Sequence, residues 1–126
     1  MVTYVPDLMN IIKGVTDGVL VTTTYPDTNI CPVVILYETD QKEIFKCSVY
    51  ERASSTITVE IYAKDIATKS RLKNNIDNAM RNLRFELAKT EDIDNTEAKI
   101  YVSKLTYECE VIQRGNSVEI YNKKYN

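Results

Sequence analysis

Hydrophobic and polar positions recur along this chain with two periods, and each change of period marks a new element. Near the start, Leu8, Ile11, Ile12 and Val15 fall at helical spacing behind Pro6, a residue suited to a first helical turn. Gly14 and Gly18 weaken continuation, and the β-branched run Val19 to Thr24 predicts a strand. Tyr25-Pro26-Asp27-Thr28-Asn29 has the composition of a turn or loop. Past Pro32, the unbroken apolar run Val33, Val34, Ile35 and Leu36 predicts a strand to Glu38 that is covered on both faces. Thr39-Asp40-Gln41 is expected to form a hairpin turn. Phe45, Cys47 and Val49 share one parity and Lys46 and Ser48 the other, which marks a half-buried strand. Glu51 to Ser55 is polar and reads as a loop.

The clearest strand is Thr56 to Ala63. Ile57, Val59, Ile61 and Ala63 point one way; Thr56, Thr58, Glu60 and Tyr62 point the other. Asp65 can then cap a helix, because its carboxylate can accept the free amide hydrogens of the first turn. Ile66, Leu72, Ile76, Ala79, Met80 and Leu83 give that helix an apolar stripe. Lys69, Lys73, Asp77 and Arg81 lie mostly off it and read as a solvated face. Phe85 and Leu87 start a short strand, and Thr90 to Glu97 is acidic enough for a loop. Lys99 to Gln113 alternates again, with Tyr101, Leu105, Tyr107, Cys109 and Val111 on one face and Glu108 and Glu110 on the other. Arg114-Gly115-Asn116 is a turn, Val118 with Ile120 a last strand, and Asn122 to Asn126 a frayed end. The predicted architecture is one α+β domain over residues 1–126: a mixed, mainly antiparallel sheet with a short N-terminal helix and one long helix packed on it.

Composition narrows the chemistry. Hydrophobic residues at 44% and charged residues at 27% are ordinary for a folded domain, so disorder over the whole length is not expected. A net charge of −2 offers no domain-wide basic excess for phosphates. Nine tyrosines and no tryptophan suit surfaces that become interfaces. The three cysteines, Cys31, Cys47 and Cys109, are odd in number and widely spaced, and are expected to be small buried apolar side chains. The first twelve residues carry Asp7 and lack a basic start, so no secretory leader is expected. No apolar run approaches the roughly 20 residues of a membrane helix. A cytoplasm-like compartment follows.

Candidate reaction centres are few. Histidine is absent, which removes Ser-His and Cys-His pairs. The three glycines are scattered, so no phosphate-cradling loop exists. Asp92, Asp94 and Thr96 could fill the first ligand positions of a calcium loop, but Glu97 stands where the turn glycine belongs and Ser103 where the closing carboxylate belongs. Pro26-Asp27 with Asp40-Gln41-Lys42 matches the PD…(D/E)xK pattern of magnesium-dependent nucleases, in which two carboxylates hold the metal and the lysine helps activate water. Asp40 and Lys42 fall in an expected turn, where such residues are selected for backbone reasons. Glu108 and Glu110 share a strand face and could act as an acid/base pair, with Lys104 on that face as a simple ionic partner. No metal or cofactor is implied.

The order of these segments resembles the tail terminator (tail completion) proteins of long-tailed bacteriophages and prophages over nearly the whole chain. The likeness rests on the amphipathic opening helix, the Tyr25-Pro26 turn and Pro32-Val33-Val34-Ile35-Leu36-Tyr37-Glu38. It continues through Ile57-Thr58-Val59-Glu60-Ile61-Tyr62-Ala63-Lys64-Asp65 running into a helix, then Leu83-Arg84-Phe85, Asp92 to Asn95 and the long strand Lys99 to Gln113. Many relatives carry Gly at the position of Arg84. The resemblance implies a virion protein and no enzyme: a homo-oligomeric ring of six subunits at the head-proximal end of the tail. The ring would be assembled in the host cytoplasm, stop growth of the tail tube protein and dock a head-completion protein. DNA would pass through the lumen without specific binding, and no membrane is involved. Another head–tail connector or tail completion protein, or the magnesium-dependent nuclease, are the alternatives. Exposed strand edges are natural joining points. Glu60, Tyr62, Lys64, Lys69, Lys73, Glu108, Glu110 and Tyr121 are the candidate interface residues, with Tyr62 expected to be exposed.

Overall fold

The structure, a computed structural model, describes residues 1–26 and 30–121. Its elements are α1 (Val5–Lys13), β1 (Leu20–Thr22), β2 (Val33–Cys47), β3 (Tyr50–Ala63), α2 (Ile66–Asn82), β4 (Glu86–Asn95), β5 (Ile100–Arg114) and β6 (Ser117–Tyr121). The strands form one six-stranded sheet in the order β1-β2-β3-β5-β4, with β6 also paired to β5. Only β1 against β2 is parallel; the other pairs are antiparallel. The expected α+β class and the mixed, mainly antiparallel sheet are therefore present, though the second helix is of modest length.

Both helices lie on one face of the sheet. Leu8 and Ile12 of α1 and Leu72, Ile76 and Met80 of α2 meet Val34, Leu36, Ile57, Val59, Ile61, Leu105, Tyr107 and Val111. These sheet positions share one face by strand alternation. Asp65 caps α2 as expected, accepting from the Thr68 amide at 2.7 Å. Ile66, placed on the apolar stripe, is instead exposed at the first position of α2.

The end of α2 explains the departure at Arg84. The Phe85 amide donates to the Met80 carbonyl at 3.0 Å and the Arg84 amide to the Arg81 carbonyl at 2.9 Å. These two bonds make a Schellman motif, with Phe85 and Met80 both in the core. Arg84 stands at the left-handed position with φ +71°, where glycine is favoured.

Four expectations fail here. The expected hairpin turn at Thr39-Asp40-Gln41 is absent, because β2 runs through it to Cys47 and absorbs the irregularity as register shifts between Glu38 and Asp40 and between Glu43 and Phe45. The turn comes at Ser48 and Val49. The expected loop at Glu51 to Ser55 is inside β3, and that at Thr90 to Glu97 is mostly β4. Phe45 and Cys47 lie on a strand but are exposed, not half-buried. In the first three cases polar residues suggested a break where cross-strand pairing keeps the chain extended; Phe45 and Cys47 are exposed because the outer half of β2 lies outside the core cluster. The turn at Gly115 and the last strand occur as expected, with Gly115 at φ +59°. The expected frayed end at Asn122 to Asn126 lies outside the described residues.

A buried polar chain ties the opening segment to the β2–β3 hairpin. Tyr4 Oη lies 2.5 Å from Ser55 Oγ, which donates to Glu38; Gln41 bonds both the amide and the carbonyl of Val2. Of the cysteines, Cys109 is buried as expected and burial pushes its thiol up to about 12. Cys31 is only partly buried and Cys47 is exposed.

Candidate assembly surface

The face of the sheet opposite the helices carries Val33, Ile35 and Tyr37 of β2, Thr58, Glu60 and Tyr62 of β3, and Lys104 and Thr106 of β5. No helix among the described residues covers it. Glu60 is nonetheless only 2% exposed. Its carboxylate accepts from Tyr25 Oη at 2.7 and 2.8 Å, Tyr37 Oη at 2.5 Å and Tyr62 Oη at 2.6 Å. Tyr37 comes from the neighbouring strand, Tyr62 from the next position on the same face, and Tyr25 from the segment after β1. The Tyr25 and Tyr62 rings meet edge to face at 6.3 Å. Lys104 stands opposite Glu60 in the ladder.

This shell sets the protonation state. Burial raises the Glu60 pKa, but the hydrogen bonds of Tyr37, Tyr62 and Tyr25, with the Lys104 charge, outweigh it and hold the carboxyl below its ordinary value. Burial and the bonds to Glu60 push the Tyr37 and Tyr62 hydroxyls up, and the bond to Glu60 raises Tyr25. The cluster is a fixed anion surrounded by neutral donors. Such an arrangement orders the three tyrosines around one carboxylate.

Beside the cluster an open groove of about 580 Å³ is lined by Tyr25, Ile30, Cys31, Val33, Ile35, Tyr62 and Ile100, with Lys64 at its rim. At the far end of the β2–β3 hairpin a second apolar group stands in solvent: Ile44, Phe45 and Val49. There the Phe45 and Tyr50 rings lie 5.8 Å apart, and the Arg114 guanidinium sits 5.6 Å from the Tyr50 ring centre.

The candidate interface residues do not form one patch. Glu60 and Tyr62 belong to the cluster just described, and Tyr62 is half-buried where it was expected to be exposed. Their strand, β3, is paired along both sides, so it offers side chains and no free edge. Lys64 is exposed at the groove. Lys69 and Lys73 lie on the helix side. Lys69, expected on a solvated face, is buried, with Nζ 2.9 Å from Asp94 and 3.5 Å from Asp92; Lys73 reaches Asp92 at 3.3 Å. Burial lowers the Lys69 pKa, but the two carboxylates outweigh it and the net shift is upward. The calcium-loop acids thus sit on β4, clamped to α2. Glu108 is exposed, and Glu110 is bound by the Arg52 guanidinium, not by Lys104. Tyr121 closes β6, and its side chain lies outside the described residues.

Asp27 of the nuclease pattern also lies outside them. Asp40 and Lys42 are in a strand after all, which removes the objection from turn geometry. Both are well exposed and face each other at 3.9 Å on an open surface. Among the described residues no group of three or more His, Cys, Asp or Glu is gathered for a metal, and no helix is long and apolar enough to cross a membrane.

Sequence reasoning missed Tyr25, Tyr37 and the hairpin tip. Tyr37 was detectable, since it continues the parity of Val33 and Ile35. Tyr25 was not, because it reaches Glu60 across 35 residues from an irregular segment.

The described residues form a two-layer α+β fold in which no helix packs on one face of the sheet. No family model matches the chain, and no curated protein does. Among solved structures, the fold is shared by a chain of the structure described as the virion of a native gene transfer agent (GTA) particle. The TM-score is 0.57 at 11% identity, over 82% of this chain and 88% of that one. At this identity the likeness is one of fold.

Proposed function

We propose that this chain is a structural subunit of a phage-like particle, and that six copies close into a ring at the head-proximal end of the tail. The ring would end growth of the tail tube and present a face to the head. The observation that carries this reading is the shared fold with a virion chain across most of both lengths. The order of sequence segments resembling tail terminators points the same way. The open sheet face supports it too: an apolar groove and an apolar hairpin tip, left in solvent by the isolated subunit, are surfaces of the kind that mark association. The carboxylate at the centre of that face is enclosed by donors, which suits a rigid contact surface better than a reaction centre.

The test is native mass spectrometry and electron microscopy of the purified chain over a range of concentrations. Six-fold rings are the expected result. A monomer at every concentration would remove the ring, and a closed ring of another symmetry would move the protein to a different joint of the particle.

A further inference from the structure

Two apolar features stand at opposite ends of the β2–β3 hairpin. The groove lies at the Val33–Tyr62 end of the ladder and the tip at the Cys47–Tyr50 end. From Tyr62 to Tyr50 at ~3.3 Å per residue the two are about 40 Å apart. The hairpin is paired to its last residues and β5 runs alongside it as far as Arg114, so it is a stiff arm. One copy cannot fold its own tip into its own groove. We infer that the tip of one copy, through Ile44, Phe45 and Val49, seats in the groove of the next copy, between Tyr25, Ile30, Tyr62 and Ile100. This deepens the ring reading above and rests on it.

Size supports a second copy as the occupant. Ile44, Phe45 and Val49 are 49%, 53% and 72% exposed; Tyr25, Ile30 and Ile100 are 61%, 45% and 43% exposed. At about 100 Å² of removable surface apiece, these six side chains withdraw roughly 600 Å² from water. With the ~57% apolar share of ordinary interfaces, that corresponds to about 1,000 Å² in all, the threshold for a specific contact. A preformed arm entering a groove whose wall is fixed by the Glu60 cluster loses little freedom on docking. Because tip and groove are different patches, the contact is head-to-tail, and it closes into a ring if the rotation between copies allows. Sheet extension is the competing geometry. The outer edge of β2 carries two register shifts and Lys42 and Lys46, devices that discourage another strand from pairing there.

The chain carries its own reporters. Cys47 is exposed at the tip, Cys31 lines the groove, and Cys109 is buried out of reach. The expected result with a short bis-maleimide at concentrations where rings form is a ladder of covalent species above the dimer. The ladder should vanish in Cys31→Ser and in Cys47→Ser, and a mixture of the two variants should return a covalent dimer. Phe45→Asp, on an exposed side chain, should match the thermal transition of the parent at dilutions where the parent is monomeric, and should lose the rings at higher concentration. Rings that persist in Phe45→Asp, with no Cys31–Cys47 product in the parent, would overturn this contact and leave the ring standing. A product that stops at the dimer, or that forms in Cys31→Ser alone through Cys47 of two copies, would overturn the head-to-tail geometry. A monomer under all conditions would overturn contact and ring together.

Discussion

Replacing Glu60 by Ala tests whether the tyrosine shell is an ordering device or an incidental grouping. The carboxylate accepts from three phenols, and hydrogen bonds to charged groups contribute about 1.5–3 kcal/mol each. The full sum does not apply. Tyr25 is largely exposed and its hydroxyl returns to water, and removing a buried anion relieves its own desolvation. What remains is the loss of about two bonds from the half-buried Tyr37 and Tyr62, so Glu60→Ala should destabilise by about 2–3 kcal/mol. At ~4 °C per kcal/mol for a chain of this size, the Tm falls by about 8–12 °C. Glu60→Gln keeps one acceptor oxygen and the shape, and should lose about 1 kcal/mol.

The pH profile separates charge from shape. Glu60 is held below its ordinary pKa, so the native state binds fewer protons there than the unfolded chain. The stability this supplies is complete above the unfolded value near ~4.3 and is lost as pH falls through the lower folded value. Thermal or urea unfolding followed from pH 6 to pH 3 should therefore show a steeper acid decline in the parent than in Glu60→Gln, with the two curves converging at the acid end. Parallel curves, or a Glu60→Ala variant as stable as the parent at neutral pH, would refute the account of the cluster.

Two further substitutions probe the helix side. Arg84→Gly should raise the Tm, with a gain of up to about 1 kcal/mol, because a side chain at φ +71° is strained by ~1–2 kcal/mol and glycine's extra freedom in the unfolded chain offsets part of the relief; a lower Tm would show that the Arg84 side chain contributes more than its backbone position loses. Lys69→Met should destabilise by about 1–2 kcal/mol, less than a fully buried pair because Asp92 and Asp94 stay partly in solvent, and should speed amide exchange across Glu86–Asn95 before other strands; uniform exchange would mean that the clamp does not hold β4 to α2.

The parts of the fold legible in the sequence are those where burial and period agree. Thr56 to Ala63 alternates cleanly because one parity meets the helices, and Leu72, Ile76 and Met80 repeat at helical spacing for the same reason. Asp65 was legible because capping is local: its partner is three residues away. The lengths of β2, β3 and β4 were not legible. The outer halves of β2 and β4 are largely polar and exposed, and that of β3 buries only Ala53 and Ser55 among polar neighbours, so no hydrophobic period marks them and what keeps them extended is the neighbouring strand. Lys69 misled because its burial depends on two aspartates 23 and 25 residues away.

The same distinction explains why the face opposite the helices is the informative one. A sheet needs only one covered face to fold, and here the helix side supplies that cover with aliphatic residues at regular spacing. The other face is under no such demand. Yet it buries a carboxylate beneath three tyrosines, keeps Val33 and Ile35 out of solvent, and leaves Phe45 and Val49 in it at the far end of the same hairpin. Folding alone does not call for the apolar tip, which a polar one could replace without leaving Phe45 and Val49 in water. A gradient from a rigid apolar groove through a polar middle to an apolar arm is what the proposed head-to-tail contact requires, since in it each copy offers both halves. Changing the tip should therefore leave folding intact and remove assembly, whereas changing Glu60 should weaken the fold and assembly together.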